Sequence, residues 1–353
     1  MKKNFTTQEL VIHLTLKCPL NCSHCCVEAD INQSESLDKT KVLNSILACQ
    51  DIPSINKVSF TGGDPFVAKE ILLAGIKQAS QLGLNTAVVT SAFWAKTKNR
   101  AVKTLQPFID AGLSEIMLSY DDAHAAYLDE HYIVNAFQAA VNNGVEVKIN
   151  VVREPDDLID KNHMEQLLNP RGRYNSLLKI SETAVNSTGR AKQDESESTR
   201  RQRAQADQVY RGPCTSVLRH ISAQSNGQWV PCCGVIKPPA ALEMGNLGSH
   251  ELGEVLSQAH EDPVLQWLAY EGPVEIMKQI TAGTEQPMED EDFDGICHAC
   301  DQLFNNPSNQ TLLDKALPDK LTSLKLQHAI YGIIGLNSSQ PPPQPTTQQF
   351  DHD

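Results

Sequence analysis

Apolar positions in the first half of the chain follow two alternating periods. Short runs of apolar and β-branched residues, such as 10–16 and 86–90, are typical of buried strands. Segments with apolar residues three or four positions apart, such as 37–48, are typical of helices, and several such segments end at a glycine. The pattern predicts strands at 10–16, 57–61, 86–90, 115–120 and 145–151, a candidate sixth at 176–180, and helices at 37–48, 68–82, 99–111 and 132–143.

This alternation predicts an α/β fold of repeated right-handed βαβ units around a parallel sheet. Six units within residues 10–180 fall short of an eight-unit barrel, so a partial (β/α)6 TIM-like barrel or a doubly wound sheet fits. In both, the active site lies at the carboxyl ends of the strands. The polar or reactive residues expected at that edge are the 18–25 loop, Gly62, Gly63, Asp64, Ser91, Ser119, Asp121 and Asn150.

Three cysteines, Cys18, Cys22 and Cys25, follow the first predicted strand at a CxxxCxxC spacing. A tetrahedral zinc ion would need a fourth ligand, which His24 or Cys26 could supply in a structural zinc site. A 4Fe–4S cluster is usually held by four thiolates, so three thiolates would leave one iron open to chemistry.

Length and charge restrict the function classes. A chain of 353 residues allows one large domain and a smaller one, and a net charge of −13 argues against a nucleic-acid partner. No apolar run reaches the roughly 18 residues of a membrane span, and no signal region follows the N-terminus. We therefore expect a cytoplasmic protein, in which ten cysteines indicate metal or redox chemistry.

A second motif, Thr61-Gly-Gly-Asp-Pro65, ends the second predicted strand. Together with the CxxxCxxC loop it resembles the radical S-adenosylmethionine (radical SAM) superfamily over residues 8–191. The resemblance implies that Cys18, Cys22 and Cys25 bind three irons of a 4Fe–4S cluster and that SAM chelates the fourth. The other SAM contacts that it implies are Gly62, Gly63 and Asp64 at the amino group, His24 stacked on adenine, and Ser91, Ser119 and Asn150 at strand ends.

Two weaker similarities accompany these motifs. Ser187-Thr-Gly-Arg-Ala191 resembles the Gly-Arg-Ala segment that closes the barrel in peptide-modifying members. Asp121, Asp122 and His124 form a polar group that could act in acid–base catalysis, although a solvated turn is the simpler interpretation. No catalytic acid, base or hydrogen donor is identified from the sequence.

The second half of the chain has its own cysteines. Cys214 and Cys232 flank a predicted hairpin, 219–230, with an Asn226-Gly227 turn, and Cys297-His-Ala-Cys300 follows much later. From the residues alone a zinc ribbon fits these thiols. The arrangement resembles the SPASM/twitch extension, which implies an auxiliary iron–sulfur cluster on Cys214, Cys232, Cys297 and Cys300, with Cys233 able to replace a neighbour.

These observations predict five segments. Residues 1–191 form the radical SAM core, 192–211 a linker or surface helix, and 212–305 the SPASM/twitch-like domain. A C-terminal helical region, 306–336, is divided by Pro318, and residues 337–353 form a disordered tail.

The resemblance implies reductive cleavage of SAM to a 5′-deoxyadenosyl radical, which abstracts a substrate hydrogen, with an external electron donor of the flavodoxin or ferredoxin type. SPASM/twitch members commonly act on peptides, so a ribosomal-peptide maturase that cross-links or epimerises a residue is expected. Only 17 residues precede Cys18, which suggests a separate leader-binding protein or recognition by the C-terminal region. In an epimerase Cys26, Cys49 or Cys233 could donate hydrogen, or each could be a buried apolar residue.

Two alternatives stay open: the same chemistry on a small cofactor precursor or on another protein's side chain, and a non-catalytic zinc or iron–sulfur binding module.

Overall fold

The computed structural model describes residues 6–174, 176–193, 196–206, 209–234 and 240–333. Strands and helices alternate from the N-terminus as the apolar periods predict. The strands of this half are β1 Glu9–Thr15, β2 Lys57–Gly62, β3 Asn85–Thr90, β4 Glu115–Ser119, β5 Glu146–Arg153 and β6 Leu178–Ala184. The helices are α1 Lys39–Leu47, α2 Lys69–Gln81, α3 Lys98–Asp110, α4 Asp122–Ala125, α5 Glu130–Val141 and α6 Lys161–Leu168.

The six strands form one parallel sheet in chain order, from β1 to β6, and the sheet does not close on itself. A doubly wound sheet reverses its strand order at a switch point, and this sheet has no such reversal. The partial (β/α)6 barrel is therefore confirmed. The central strands are buried on both faces, as in other parallel sheets covered by helices.

The predicted hairpin is also present, as β7 His220–Ala223 and β8 Trp229–Val230. β7 pairs in parallel with β1, so that Leu10 lies beside Ile221, and β8 pairs antiparallel with β7. The hairpin thus extends the barrel sheet beyond β1. The hairpin and the six strands of the barrel therefore form one eight-stranded sheet.

The predicted linker contains helices α7 Arg190–Gln193 and α8 Glu197–Ala204. α8 is attached to the barrel by Arg203, whose side chain is buried and pairs with Glu154 after β5. The sequence suggested a solvated charged face here because Arg203 lies within the run Arg200-Arg-Gln-Arg203.

Five helices follow the hairpin: α9 Leu252–Glu261, α10 Pro263–Tyr270, α11 Pro273–Thr281, α12 Ile296–Asn305 and α13 Pro307–Ile333. The prediction that Pro318 divides the last helix is wrong, since α13 runs through it. Packing explains the continuity: Leu313 and Leu324, on either side of the proline, are buried, and Lys320 forms an ion pair with Glu271 of 2.6 Å. The predicted disordered tail, 337–353, lies outside the described residues, and the five domain limits remain predictions.

Within the described ranges, none of the helices combines the length and the apolar character that a membrane crossing demands.

Replacing Pro318 by Ala should stabilise α13, because proline in a helix interior removes a backbone hydrogen bond and is about 3 kcal/mol less favourable than alanine. Part of this gain is lost through the greater freedom of the unfolded chain, so we expect an increase of about 1–3 kcal/mol in the free energy of unfolding. Urea denaturation followed by circular dichroism measures it.

The matched control is Pro307→Ala, at the first position of the same helix, where proline is well tolerated. Both prolines are exposed, so packing does not differ between them. Equal effects of the two substitutions would contradict the argument.

Candidate active site and second thiol cluster

The loop that carries Cys18, Cys22 and Cys25 leaves β1 at the carboxyl edge of the sheet. Its two ends are joined by a hydrogen bond of 2.9 Å from the Cys18 backbone N–H to the Asp30 carbonyl. The Cys18 and Cys22 side chains are nearly buried, with 9% and 7% of their surface exposed. Backbone N–H groups point at the sulfurs, from Leu20 to Cys18 Sγ at 3.5 Å and from Ala29 to Cys25 Sγ at 3.3 Å. The loop therefore keeps two of its three thiols nearly buried and gives two of the sulfurs a backbone N–H neighbour.

Burial is the main reason that the pKa of Cys18 is raised to about 12 and that the pKa of Cys22 also lies far above its usual value. Asp64 and Cys25 raise the pKa of Cys18 further, and Asp121, Cys25 and Cys18 do the same for the pKa of Cys22. A bound cation would neutralise this repulsion and displace the protons. The donor set fits a soft metal or an iron–sulfur cluster.

Gly62 and Gly63 lie directly against this loop. A Cβ on Gly62 would be 2.3 Å from the Thr15 carbonyl oxygen, and one on Gly63 would be 2.4 Å from that of Lys17. The close approach allows the Asp64 N–H to donate to the Lys17 carbonyl at 3.0 Å. Glycine is thus required at both positions to fix the start of the thiol loop against β2.

Asp64 faces the interior of the barrel. Its carboxylate is 1% exposed and accepts hydrogen bonds from Thr90 Oγ1 and from the backbone and hydroxyl of Ser91, the last at 2.8 Å. The structure thereby brings together two residues that the sequence analysis placed at SAM. Asp64 ties the end of β2 to the end of β3, and its own contact with the SAM amino group remains a prediction.

His24, Asp121 and His124 form a hydrogen-bonded group. Asp121 Oδ1 lies 3.0 Å from His24 Nε2 and 2.7 Å from His124 Nδ1, and the Asp121 side chain is fully buried. Burial alone would raise the pKa of Asp121, but the hydrogen bonds from His124 and His24 outweigh it and hold this pKa well below its usual range. The interpretation of Asp121 and His124 as a solvated turn is therefore wrong.

The same group fixes the orientation of the His24 ring between Cys22 and Cys25. Burial lowers the pKa of His24, yet the hydrogen bond and the charge of Asp121 more than compensate and raise it above its usual value. The three side chains also place one possible ligand atom each within 4.8 Å of the others, although their mutual hydrogen bonds already use these atoms.

Ser119 and Asn150 lie side by side, since they are register partners on β4 and β5. Ser119 ends its strand, whereas Asn150 lies three residues before the end of β5 and accepts a hydrogen bond of 3.2 Å from Ser181 Oγ. Both side chains are half-buried. Their predicted contact with SAM is not tested by this geometry.

The predicted auxiliary ligands converge on one cavity below the hairpin. Cys214, Cys232, Cys297 and Cys300 line it, and Cys233 joins them. Cys297 and Cys300 lie one turn apart at the start of α12, where the backbone N–H groups favour negative sulfur. The remaining walls are almost entirely apolar and include Val217, Leu242, Leu268 and Ile296.

Burial raises the pKa of Cys214, Cys297 and Cys300, and neighbouring thiols add to the effect. Five soft sulfur donors in an apolar cavity fit an iron–sulfur cluster or a zinc ion. None of the ten cysteines, all within the described residues, forms a disulfide, so the sulfurs of the cavity are not tied up in disulfide bonds.

Two other cysteines have different surroundings. Cys49 lies in the core behind α1, and its Sγ is 3.6 Å from the Ser45 carbonyl, as expected of a buried apolar residue. Cys26 follows the first thiol group, and burial together with repulsion from Cys25 and Cys233 raises its pKa to about 12. Cys26 therefore lies between the two thiol groups.

Sequence reasoning missed two arginines of the site. Arg190 donates to carbonyls of the thiol loop, and Arg203 connects α8 to the end of β5. Only the Gly189-Arg190-Ala191 similarity pointed to the first, and no sequence signal distinguished the second from its exposed neighbours.

Comparisons with known proteins show what this chain is similar to. Residues 12–157 match the family described as the radical SAM superfamily. YydG of Bacillus subtilis (strain 168), described as a candidate peptide biosynthesis protein, is 21% identical over 305 residues, which are 84% of this chain and 91% of that protein. PqqA peptide cyclase of Bradyrhizobium diazoefficiens is 28% identical over 120 residues, which are 34% of this chain and 30% of that protein.

Among solved structures, Streptococcus suis SuiB bound to S-adenosylmethionine is similar with a TM-score of 0.46 and 15% identity, over 76% of this chain and 69% of that chain.

Replacing Gly63 by Ala should displace the thiol loop, because the new methyl group would overlap the Lys17 carbonyl. We expect a loss of about 1–3 kcal/mol in the free energy of unfolding, typical of overpacking, and a marked loss of metal at the first thiol group. Urea denaturation and iron analysis after reconstitution measure the two effects.

Gly253→Ala is the control, since Gly253 lies in α9 with nothing within 4 Å of the added methyl group. It should change the stability by no more than about 1 kcal/mol, in the favourable direction, and leave the metal content intact. Wild-type iron content in Gly63→Ala would show that the close packing does not position the loop.

Proposed function

Because this chain belongs to the radical SAM superfamily, we propose that it is a peptide maturase that uses S-adenosylmethionine and a 4Fe–4S cluster. The observation that carries the proposal is the loop of three thiols, which follows β1 at the carboxyl edge of the sheet and is fixed by Gly62 and Gly63. When bound, the cluster and SAM supply the electron and the carbon radical that remove a hydrogen atom from the substrate.

Cys18, Cys22 and Cys25 would hold the cluster. Gly62 and Gly63 lie against the start of this loop and form one wall of the site. Burial of Cys18 and Cys22 keeps water from the sulfurs. We propose that His24, which Asp121 orients, contacts the adenine, and that Ser91, Ser119 and Asn150 contact the remainder of SAM.

The second thiol group would hold an auxiliary iron–sulfur cluster through Cys214, Cys232, Cys297 and Cys300. Cys233 is a fifth donor at the same cavity and could substitute for one of them. Zinc is the competing occupant, because the same sulfurs would satisfy its tetrahedral geometry.

A peptide substrate is supported by the relatives, at low identity. YydG, the relative matched over 91% of its length, is described in terms of peptide biosynthesis, and PqqA peptide cyclase bears its substrate in its name. The free thiols suit the cytoplasm, where thiols stay reduced. We further propose a flavodoxin- or ferredoxin-type electron donor.

Iron counting tests the two metal sites. After anaerobic reconstitution the native chain should contain about eight irons, and both the Cys18→Ala/Cys22→Ala/Cys25→Ala variant and the Cys297→Ala/Cys300→Ala variant about four. The first variant should lose all cleavage of SAM. Cys49→Ala removes a thiol of the core and should leave the iron content unchanged.

About four irons in the native chain and none in the first variant would exclude an auxiliary iron–sulfur cluster. Zinc in place of those missing irons would identify the competing site.

Short genes beside this one would encode candidate peptide substrates. Synthetic copies of those peptides test the substrate class. Reduced enzyme, SAM and the correct peptide should produce 5′-deoxyadenosine faster than without peptide. The product should have two hydrogens fewer if a cross-link forms, or carry solvent deuterium if a residue is epimerised in heavy water. Cleavage of SAM with every such peptide left unchanged would argue against a peptide substrate and favour a small molecule.

A further inference from the structure

The segment 186–192, called here the bridging segment, lies between β6 and α8 in the chain. It contacts the backbone of the first thiol loop and residues beside the second thiol group. On one side it packs against the first thiol loop. A Cβ on Gly189 would lie 2.4 Å from the Cys26 carbonyl oxygen and 2.5 Å from that of Cys25. The Arg190 N–H donates to the same Cys25 carbonyl at 3.0 Å. The backbone of the bridging segment is thus in direct contact with the loop.

The Arg190 side chain extends this contact along the loop. Its Nη1 donates to the Cys22 carbonyl, and its Nη2 donates to the Ala29 carbonyl at 2.9 Å. The planar guanidinium fits two carbonyls at once, which the single ammonium of lysine cannot do in the same way. One residue therefore holds the loop at three carbonyls, before, at and after Cys25.

The opposite side of the bridging segment contacts α12, which carries Cys297 and Cys300. The Ser187 N–H donates to both carboxylate oxygens of Asp294 at 3.1 Å, and its hydroxyl donates to the same carboxylate. Lys192 pairs with Asp301 at 2.5 Å. Asp294 lies two residues before α12 and three before Cys297, and Asp301 directly follows Cys300.

The contacts around Asp294 are buried and charged. Asp294 is fully buried and lies 3.1 Å from His298, in the first turn of α12. Arg203 donates to Ser187 Oγ at 3.2 Å while its other nitrogens bind Glu154. Because a buried carboxylate is costly unless it is fully paired, a shift of α12 would disturb Ser187 and with it the bridging segment.

We propose that Arg190 is a positioning residue for the first thiol loop and that the bridging segment couples metal occupancy at Cys297 and Cys300 to the order of that loop. The proposal rests on the two metal sites of the proposed function and requires no particular substrate. Filling the second site would fix α12, and the fixed helix would hold Arg190 against the loop.

Hydrogen exchange of the metal-free chain tests the first part without any cofactor. In Arg190→Ala, amides of residues 18–29 should exchange about tenfold faster, since the two side-chain contacts with the Cys22 and Ala29 carbonyls are lost while the backbone contact with Cys25 stays, and Arg190→Lys should give an intermediate rate. The amides of β3 should not change, which distinguishes loss of positioning from general destabilisation. Arg100→Ala, an exposed arginine on α3, is the matched control.

Iron release provides a second readout. In the reconstituted protein, Arg190→Ala should lose first-site iron to a chelator about tenfold faster and keep second-site iron at the wild-type rate. Wild-type exchange at 18–29 together with wild-type iron release would overturn the role of Arg190.

The coupling is tested in the Cys18→Ala/Cys22→Ala/Cys25→Ala variant, in which iron can fill only the second site. Loading iron should slow exchange of residues 18–29 several-fold, and adding Asp294→Asn should abolish that difference. Equal exchange with and without iron would overturn the coupling. Failure to bind iron at all would overturn it too, and would be visible separately in the iron count.

Discussion

The structure depends on backbone-to-backbone contact around a short loop that has few side chains of its own to hold it. Gly62 and Gly63, at the end of β2, lie against the start of the loop, and Gly189 lies against the carbonyl oxygen of the third cysteine. At each of these contacts a Cβ atom would overlap the neighbouring backbone. In many loops polar side chains anchor the backbone. Here three of the side chains are thiols, which would have to stay available to bind the proposed cluster. Rigidity therefore comes from the neighbouring chain segments.

The charged side chains near the loop are also held in place by neighbouring residues. The thiols lie in a poorly solvated region, where an unpaired carboxylate or guanidinium would be costly. Asp121 is paired with two histidines, Asp64 is saturated by Thr90 and Ser91, and Arg190 donates to backbone carbonyls. These three charged groups thus have protein partners, which limits how far they can move when a charged cofactor binds.

Most of the barrel could be predicted from the sequence, because β1 to β5 are apolar runs separated by amphipathic helices with glycine at their ends. α6 was missed, since its eight residues include only a short apolar stripe. The thiols and the two glycines were found because their spacing is local. Arg190, Arg203 and Asp294 were not assigned, because their partners lie from 49 to 168 residues away in the chain. Asp121 was misjudged since its burial depends on His24, far from it in sequence.

The pairing of β7 with β1 has a consequence for how such a protein is divided. The region that matches the family, 12–157, ends before β6 and before the bridging segment, and it leaves β1 without its neighbour on one side. A fragment cut at that boundary would present a bare sheet edge at the very strand that leads into the thiols, open to pairing with other chains. The region that matches the family is thus smaller than the sheet to which its first strand belongs, and a stable fragment would have to include β6 and the hairpin.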